Sequence, residues 1–475
     1  MRRKNYGDSV TLICRQFNDG GCVYKWIISL KYFKLSFTFS DIKLINMKNI
    51  SINKSFYINN RKKLAKELLT GSMAVVVSND TMPTNSDGTM KFKQSSDLFW
   101  LTGVNQEETI LITFPDAPDK NFREVLFLRE TSELIAIWEG RKLTKEEARE
   151  KTGIENILWL SDFDRVFRML ITDAEHVYVN SNEHKRALVE VETRAARFIK
   201  KWKEEYPLHS YRRLAPVINR LRMIKSKEEI EMMQLACDLT EKGFRRVLKF
   251  TKPGVMEYEV EAEFAHEFIR NGGGFADYSP IIASGKSSCV LHYVENDKPC
   301  NDGDVLLIDT GAAVYNYNAD MTRTIPVNGR FTKRQKSVYN AVLNVMKSTT
   351  EMIVKGGIWK DIQKATEQNM ERELVNLKLI SMSDIKMQNP AWPALKRYFM
   401  HNVSHFLGLD VHDVGYFETP YKPGMVFTVE PGIYILEEGI GVRLENNIVV
   451  KEKGNFDLMR NIPLEADEIE EIMNS

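Results

Sequence analysis

Acidic residues and one histidine occur in the C-terminal half of the chain where a charge is unexpected. Asp309 follows the apolar run 305–308, and Glu430 follows the run 425–429. An ionised carboxylate at the end of a buried run is costly unless it is paired, hydrogen-bonded or bound to a metal. Each acid alone is an ordinary residue of a strand end or turn. Together they form an oxygen-rich ligand set: Asp309, Asp320, His405, Glu430 and Glu445.

Four carboxylates and one imidazole suit a hard divalent ion such as Mn²⁺ better than they suit a thiolate zinc site. So many carboxylates favour two ions over one. Two ions about 3.5–4 Å apart can share bridging carboxylates and a bridging hydroxide, which is a nucleophile at neutral pH. The set therefore predicts metal-assisted hydrolysis.

Two further side chains are candidates for this site. Arg443 lies two residues before Glu445 in a predicted strand, so both would point to the same face. Its guanidinium would bind a substrate carbonyl or carboxylate, or pair with a ligand acid. Tyr434 lies four residues after Glu430, beyond a Pro-Gly turn, and is either a substrate-binding residue or a core aromatic.

The elements that precede this region predict an α/β domain over residues 55–215. A helical period covers residues 60–69, and strand-like runs follow at 73–77, 109–114 and 124–128. Thr144 begins a capping box of a short helix that ends at Gly153. Strands that alternate with helices indicate an α/β fold.

A second domain, over residues 216–475, is predicted to be α+β. Ser226 opens a capping box and a long helix to about residue 250, and Thr332 opens another helix. Runs at 304–309, 322–327, 425–429 and 441–450 predict strands. The ligand set lies at the ends of these strands.

Residues 1–54 match neither helical nor strand patterns, and we assign them no fold. We expect residues 1–46 to lie outside the functional fold, with Met47 as the true start. The alternative is a genuine but disordered extension.

Composition excludes several classes of protein. A length of 475 residues favours two domains, and a net charge of +1 offers no field to attract nucleic acid or an anionic membrane. Five scattered cysteines without CxxC spacing argue against a disulfide framework and predict a cytoplasmic location. Lysines interrupt the apolar stretch 23–39, so no membrane span is predicted.

Several motifs resemble those of the pita-bread metallopeptidases, and most closely the Xaa-Pro aminopeptidases (aminopeptidase P). All five metal positions match. Asn446 and Asn447 depart from the family, whose members often carry acids there, and affect only the surroundings of the ligands. The motifs lie at residues 291–293, 309–311 with Asp320, 401–415, 429–434 and 441–445.

The resemblance implies a role for each residue and a pita-bread fold for the second domain. Asp309 would bind one metal, His405 the other, and Asp320 and Glu445 would bridge both. Glu430 would be a ligand and would also transfer the proton of the bridging water. Three histidines complete the site. His412 would stabilise the oxyanion, His292 would line the proline side unless it is a core histidine, and His401 would bind substrate or support His405 from one helical turn away.

The N-terminal part resembles the same group at residues 96–103 and 137–141, and by that likeness it would help wall the active site, within a dimer or tetramer. Asp97 is a candidate to attract the substrate's α-amino group, unless it is an exposed acid at a strand end. The resemblance implies cleavage of peptides with proline at position 2. A prolidase limited to Xaa-Pro dipeptides stays open, and a non-catalytic pita-bread binding protein is a more remote alternative.

Overall fold

The structure is a computed structural model that describes residues 10–16, 22–30, 33–38, 50–188 and 190–475. The chain divides into two units, Met1–Ile50 and Ser51–Ser475. The first contains an antiparallel sheet in the order β1-β2-β3, in a region for which the sequence predicts no fold. Met47 lies outside the described residues. The strands are β1 Val10–Gln16, β2 Cys22–Leu30 and β3 Phe33–Thr38.

The second unit begins with an α/β arrangement, as predicted. A six-stranded mixed sheet has the order β7-β6-β5-β4-β8-β9, and β4 is buried along its whole length between β5 and β8. Its bounds are α1 Lys54–Glu67, β4 Ser72–Val77, α2 Ser96–Thr102, β5 Ile110–Thr113, β6 Glu124–Leu128, α3 Glu133–Glu139, α4 Lys145–Thr152, β7 Asn156–Trp159, α5 Phe163–Ile171, β8 His176–Val179, α6 Arg194–Glu205, β9 Ser210–Arg213 and α7 Ala215–Arg222.

The first helix begins earlier than the residues 60–69 that the helical period predicts. The Asn53 side chain accepts a hydrogen bond from the Ser55 backbone N–H and so caps α1. Phe56 and Tyr57 are buried in its first turn, which the sequence period does not reveal. The two predicted capping boxes, at Thr144 and Ser226, are confirmed, and the helix predicted to open at Thr332 begins with a third.

The remaining part is α+β, as predicted, with three small three-stranded sheets and one two-stranded sheet. Helix α8 packs against α9 and β13, and α10 packs against α11 and β18. The bounds are α8 Lys227–Phe250, α9 Glu257–Arg270, β10 Gly274–Phe275, β11 Ile281–Ser284, β12 Val305–Asp309, β13 Ala312–Val314, β14 Tyr317–Asn318, β15 Thr322–Pro326, α10 Lys333–Met352, α11 Trp359–Asn376, α12 Met382–Lys386, β16 Val426–Val429, β17 Gly432–Ile435, β18 Ile440–Arg443, β19 Asn446–Val450, β20 Asn455–Asp457 and α13 Ala466–Met473.

The single strand predicted over 441–450 is wrong. The chain forms two strands there, β18 and β19, which belong to different sheets. Strand β18 pairs with β17, whereas β19 pairs with β16 and β20. The break falls at residues 444 and 445, so Glu445 lies between two strands.

All strands of the six-stranded sheet lie before residue 214, and the boundary near residue 215 stays a prediction. Across the part of the chain that the structure describes, no helix combines the length and apolar character that a membrane span requires.

Candidate metal centre

Asp309 and Asp320 are held at the two ends of one hairpin. Asp309 is the last residue of β12 and lies opposite Thr322 of β15, while β13 and β14 form the hairpin between them. The backbone at Gly311 and the backbone at Ala319 approach closely: a Cβ built on Gly311 would lie 2.0 Å from the Ala319 carbonyl oxygen. Only glycine allows this approach. The two carboxylates therefore meet at the same edge of the sheet.

Glu430 and Glu445 lie in two short segments that separate one antiparallel strand pair from the next. Val429 is opposite Asn446 in one pair, and Gly432 is opposite Arg443 in the other. Residues 430–431 and 444–445 thus face each other between two sheets. Thr322 fixes Glu445: its carbonyl accepts the Glu445 backbone N–H at 3.0 Å, and its Oγ1 donates to Glu445 Oε2 at 2.7 Å.

His405 presents one ring nitrogen to these carboxylates. Its Nδ1 lies 2.9 Å from the Phe406 carbonyl oxygen, which can only accept, so Nδ1 carries the hydrogen. Nε2 is therefore the ring nitrogen that can bind a metal once it has lost its proton. It lies 3.4 Å from Asp320 Oδ2 and 3.5 Å from Glu430 Oε1.

The five predicted ligands converge into one site that fits a divalent metal. Asp320, His405 and Glu445 each offer a ligand atom within 4.8 Å of the others. Glu430 adjoins His405, and the buried Asp309 Oδ1 has no hydrogen-bond partner. A buried carboxylate oxygen without a partner, next to three other carboxylates, is costly unless a cation satisfies it.

The pKa shifts of these residues also indicate a site for a cation. Burial, together with the charges of Asp320 and Asp309, raises the pKa of Glu430 to about 7. Burial and the neighbouring carboxylates raise the pKa of Glu445 well above its ordinary value. Burial alone would lower the pKa of His405, but Asp320 and Glu430 raise it to about 9. Each shift arises because several acids lie close together in a buried site. A bound cation would reverse the preference of these groups for protons.

A chain of hydrogen bonds leads from the ligands to His401. Arg443 donates to Asp309 Oδ2 at 2.6 Å and to Tyr434 Oη at 2.9 Å, and Tyr434 Oη lies 2.8 Å from His401 Nε2. Arg443 therefore pairs with a ligand acid, although the continuous strand on which its orientation was predicted does not exist. Tyr434 is buried among core residues, with its hydroxyl aimed at the site.

The prediction that His401 supports His405 from one helical turn away is wrong, because residues 401–405 are not helical. Instead, His401 Nδ1 lies 2.8 Å from the Asn402 carbonyl oxygen, so Nε2 accepts from Tyr434. Burial and then Arg443 lower the pKa of His401 to about 3, which favours the neutral ring.

His412 and His292 are both exposed. The rings of His412 and His405 lie 4.5 Å apart between centroids, so His412 borders the centre, and its role at the oxyanion stays a prediction. The alternative that His292 is a core histidine is wrong. Leu291 and Met400, the chain neighbours of His292 and His401, pack against one core cluster that contains Tyr434, so the two histidines lie on the same side of the site.

Comparison with known proteins identifies the family. The model of metallopeptidase family M24 matches residues 231–452, and the model of the aminopeptidase P N-terminal domain matches residues 57–178. The Xaa-Pro aminopeptidase of Escherichia coli (strain K12) is 32% identical over an alignment of 440 residues that covers 89% of this chain and 98% of that protein. The chain belongs to metallopeptidase family M24.

Solved structures of aminopeptidase P extend the likeness to the fold. Aminopeptidase PepP of Pseudomonas aeruginosa is 31% identical with a TM-score of 0.82, and the match covers 90% of this chain and 99% of that one. Aminopeptidase P from E. coli with the inhibitor Pro-Leu is 32% identical with a TM-score of 0.78, at the same coverage of 90% and 99%. This M24 chain therefore has an α/β N-terminal domain and a pita-bread C-terminal domain.

Asp97 does not lie at an exposed strand end. It is in the first turn of α2 of this M24 chain, with 14% of its side chain exposed, and its Oδ1 lies 2.7 Å from Arg222 Nη1. Its role in binding the substrate's amino group stays a prediction.

Several residues around the M24 centre were not found from the sequence. Tyr278 donates to Asp320 Oδ1 at 2.8 Å. Asn447 binds both sides of the Asp320 backbone, accepting from its N–H at 3.1 Å and donating to its carbonyl at 2.6 Å. The sequence marks Asn447 only as a departure from the family, and Tyr278 lies far from every ligand motif. Their roles become visible only once β10 and β19 are placed beside the hairpin.

Proposed function

We propose that this chain is a metal-dependent aminopeptidase that hydrolyses the bond between an N-terminal residue and a following proline. The convergence of five hard ligands on one buried centre carries the proposal. The Xaa-Pro aminopeptidase of E. coli, 98% of which is matched by this chain, supports the choice of substrate.

Two divalent ions, which we propose to be Mn²⁺, would be held by Asp309, Asp320, His405, Glu430 and Glu445. The oxygen-rich donor set supports manganese. When bound, the ions supply a Lewis acid and an activated water at neutral pH.

The chain's own groups do the remaining chemistry. The water oxygen bonds to the carbonyl carbon, the bond to the proline nitrogen breaks, and the proton of the water ends on that nitrogen. Glu430 is placed to hold this proton, because its carboxylate lies beside His405 at the centre and a carboxylate can accept and return a proton. His412 would donate to the developing oxyanion.

The side of the centre with His401 and His292 is where we place the proline. An Xaa-Pro amide is tertiary and has no N–H, so a peptidase for it cannot hold its substrate through that hydrogen. The buried Tyr434 ring and the neutral His401 offer an apolar wall with one fixed polar edge.

The deciding experiment compares Ala-Pro-Ala and longer peptides with the dipeptide Ala-Pro, using protein loaded with Mn²⁺. We expect release of alanine from the tripeptide and longer peptides. Cleavage of Ala-Pro alone would identify a prolidase, and the metal chemistry would stand. Metal analysis that finds about two ions per chain would argue against the non-catalytic alternative.

We also propose a homo-oligomer, a dimer or tetramer. Helix α3 supports this, because Leu134, Ile137 and Trp138 are 65%, 78% and 80% exposed. Adjacent exposed apolar side chains are typical of protein interfaces. Analytical ultracentrifugation would detect it, and a monomer at all concentrations would refute it. The free thiols of Cys237, Cys289 and Cys300 support the proposal of a cytoplasmic location.

A further inference from the structure

A buried group of charges connects the N-terminal domain to the loop that carries the site histidines. Arg222, at the end of α7, has 4% of its side chain exposed. Its Nη1 lies 2.7 Å from Asp97 Oδ1, and its Nη2 lies 2.7 Å from both Asp410 Oδ2 and Asp413 Oδ1. Lys225 Nζ lies 3.0 Å from the other oxygen of Asp413. One guanidinium thus holds three carboxylates from two regions of the chain.

Two of these carboxylates flank a residue of the site. His412 lies between Asp410 and Asp413 in sequence, and its ring is 4.5 Å from that of His405. The Asp413 backbone N–H donates to the Phe406 carbonyl at 2.9 Å, which closes the loop beside His405. Because Arg222 binds both Asp410 and Asp413, it also fixes the backbone between them, which includes His412.

The N-terminal domain contacts this loop directly. Ser96, in the first turn of α2, donates to Asp410 Oδ1 at 2.8 Å. Lys93, just before it, pairs with Asp277, whose neighbour Tyr278 donates to the ligand Asp320. The segment 93–97 thus contacts Asp277 and Asp410, each close in sequence to a residue of the centre, and Asp97 pairs with Arg222, which also holds the loop 405–413.

The position of the loop depends on one residue of this buried ion-pair group. Arg222 is the one cation within 4 Å of all three aspartates among the described residues, in a place where Lys225 and Asp413 are only 1% and 2% exposed. Removing one partner from a buried ion pair leaves an uncompensated charge, so the carboxylates must move or take up water. The loop moves with them.

We propose that Arg222 is a positioning residue for catalysis: through Asp410 and Asp413 it holds the loop of His405 and His412 against the N-terminal domain. The proposal rests on the proposed function for its kinetic readout. Partners that orient metal ligands in this way typically change activity or metal affinity by about 10–100-fold when they are replaced.

The test is Arg222→Lys, which keeps the positive charge but loses the planar fork that reaches three carboxylates. With saturating Mn²⁺ and at a temperature where circular dichroism shows a folded protein, we expect kcat to fall about 10–100-fold with little change in KM. The matched control is Arg220→Lys on the same helix, which alters a surface pair with Glu67 and leaves kcat unchanged. A kcat for Arg222→Lys within about twofold of the wild type, with only a lower melting temperature, refutes a positioning role.

If Arg222→Lys does not fold, Asp97→Asn tests the same ion-pair group with an isosteric change. A lower kcat with unchanged KM supports positioning. A higher KM alone refutes it and makes Asp97 the residue that binds the substrate's amino group.

If the wild-type protein cleaves no Xaa-Pro peptide, the proposed function fails separately, and calorimetric titration with Mn²⁺ replaces kinetics. An affinity about 10-fold weaker in Arg222→Lys than in Arg220→Lys supports the proposal, and equal affinities refute it.

Discussion

Arg443 donates a 2.6 Å hydrogen bond to Oδ2 of Asp309, so one oxygen of this proposed metal ligand is bound by a cation of the protein itself. The other oxygen, Oδ1, is buried and has no partner. Asp309 is therefore oriented before any ion binds, with one oxygen left for the metal. This division explains how a carboxylate can be both a ligand and half of an ion pair.

Arg443→Lys should lower kcat/KM about 10–100-fold. The guanidinium also bonds Tyr434 Oη and Thr322 Oγ1, and one ammonium cannot reach all three partners in the same geometry. Steady-state kinetics with Ala-Pro-Ala measure the effect. The control is Arg334→Lys, whose partner Glu438 is at the surface, and kcat/KM there should stay within about twofold. Wild-type kinetics for Arg443→Lys would refute the role of this pair.

Asp320→Asn and His405→Ala should each abolish peptidase activity while far-UV circular dichroism stays near the wild type. Both side chains belong to the tightest group of ligand atoms, and the metal acts on the chemistry more than on the core. Metal analysis should find fewer bound Mn²⁺ ions. Asp302→Asn, an exposed aspartate, is the control. Normal turnover by either ligand variant would overturn the assignment of the centre.

Glu430→Gln should keep the fold and lose about 10²–10⁴-fold in kcat, the usual contribution of a general acid or base. The amide retains one oxygen but cannot take up a proton. Glu437→Gln, exposed and seven residues along the chain, is the matched control. Full activity of Glu430→Gln would remove this residue from the proton transfer.

The sequence predicted the acids and the histidine that the structure brings together, because they lie in local motifs, and their role as metal ligands stays a prediction. Asp309 and Glu430 follow apolar runs that do form strands, so the charge at each run's end was a usable signal. The broken strand at Glu445 was missed, because residues 441–450 have a strand-like composition throughout. The break depends on β17 and β16 pairing with different halves of that run. Such pairing is non-local, as is the contact of Arg222 with Asp97, 125 positions apart.

Glu229 gives a prediction for stability against pH. Its buried carboxylate accepts from Trp100 Nε1 and Tyr317 Oη, and it faces the charges of Lys225 and Asp413. Burial raises its pKa despite the opposing hydrogen bonds and Lys225. The folded state therefore binds the proton more tightly than the unfolded state does, and the stability from this group is lost as pH rises through the folded pKa.

Glu229→Gln should thus gain in free energy of unfolding, relative to the wild type, as pH rises from about 4.5, the ordinary glutamate value, towards 8. Urea titrations at several pH values measure this. Glu228→Gln is the control, because the hydrogen bond from Ser226 lowers the pKa of Glu228, so its own change in stability falls below about pH 4.5 and outside this range. Parallel stability curves for Glu229→Gln and the wild type would contradict the prediction.

The contact between Gly311 and Ala319 has a consequence for mutational tolerance. Any side chain at position 311 would meet the Ala319 carbonyl and also approach the backbone nitrogen of Asp320, 3.1 Å from the missing Cβ. Neither backbone segment can shift without moving Asp309 or Asp320. Selection should therefore act on Gly311 as strongly as on the acids themselves, and even Gly311→Ala should be lost from a library screened for peptidase activity.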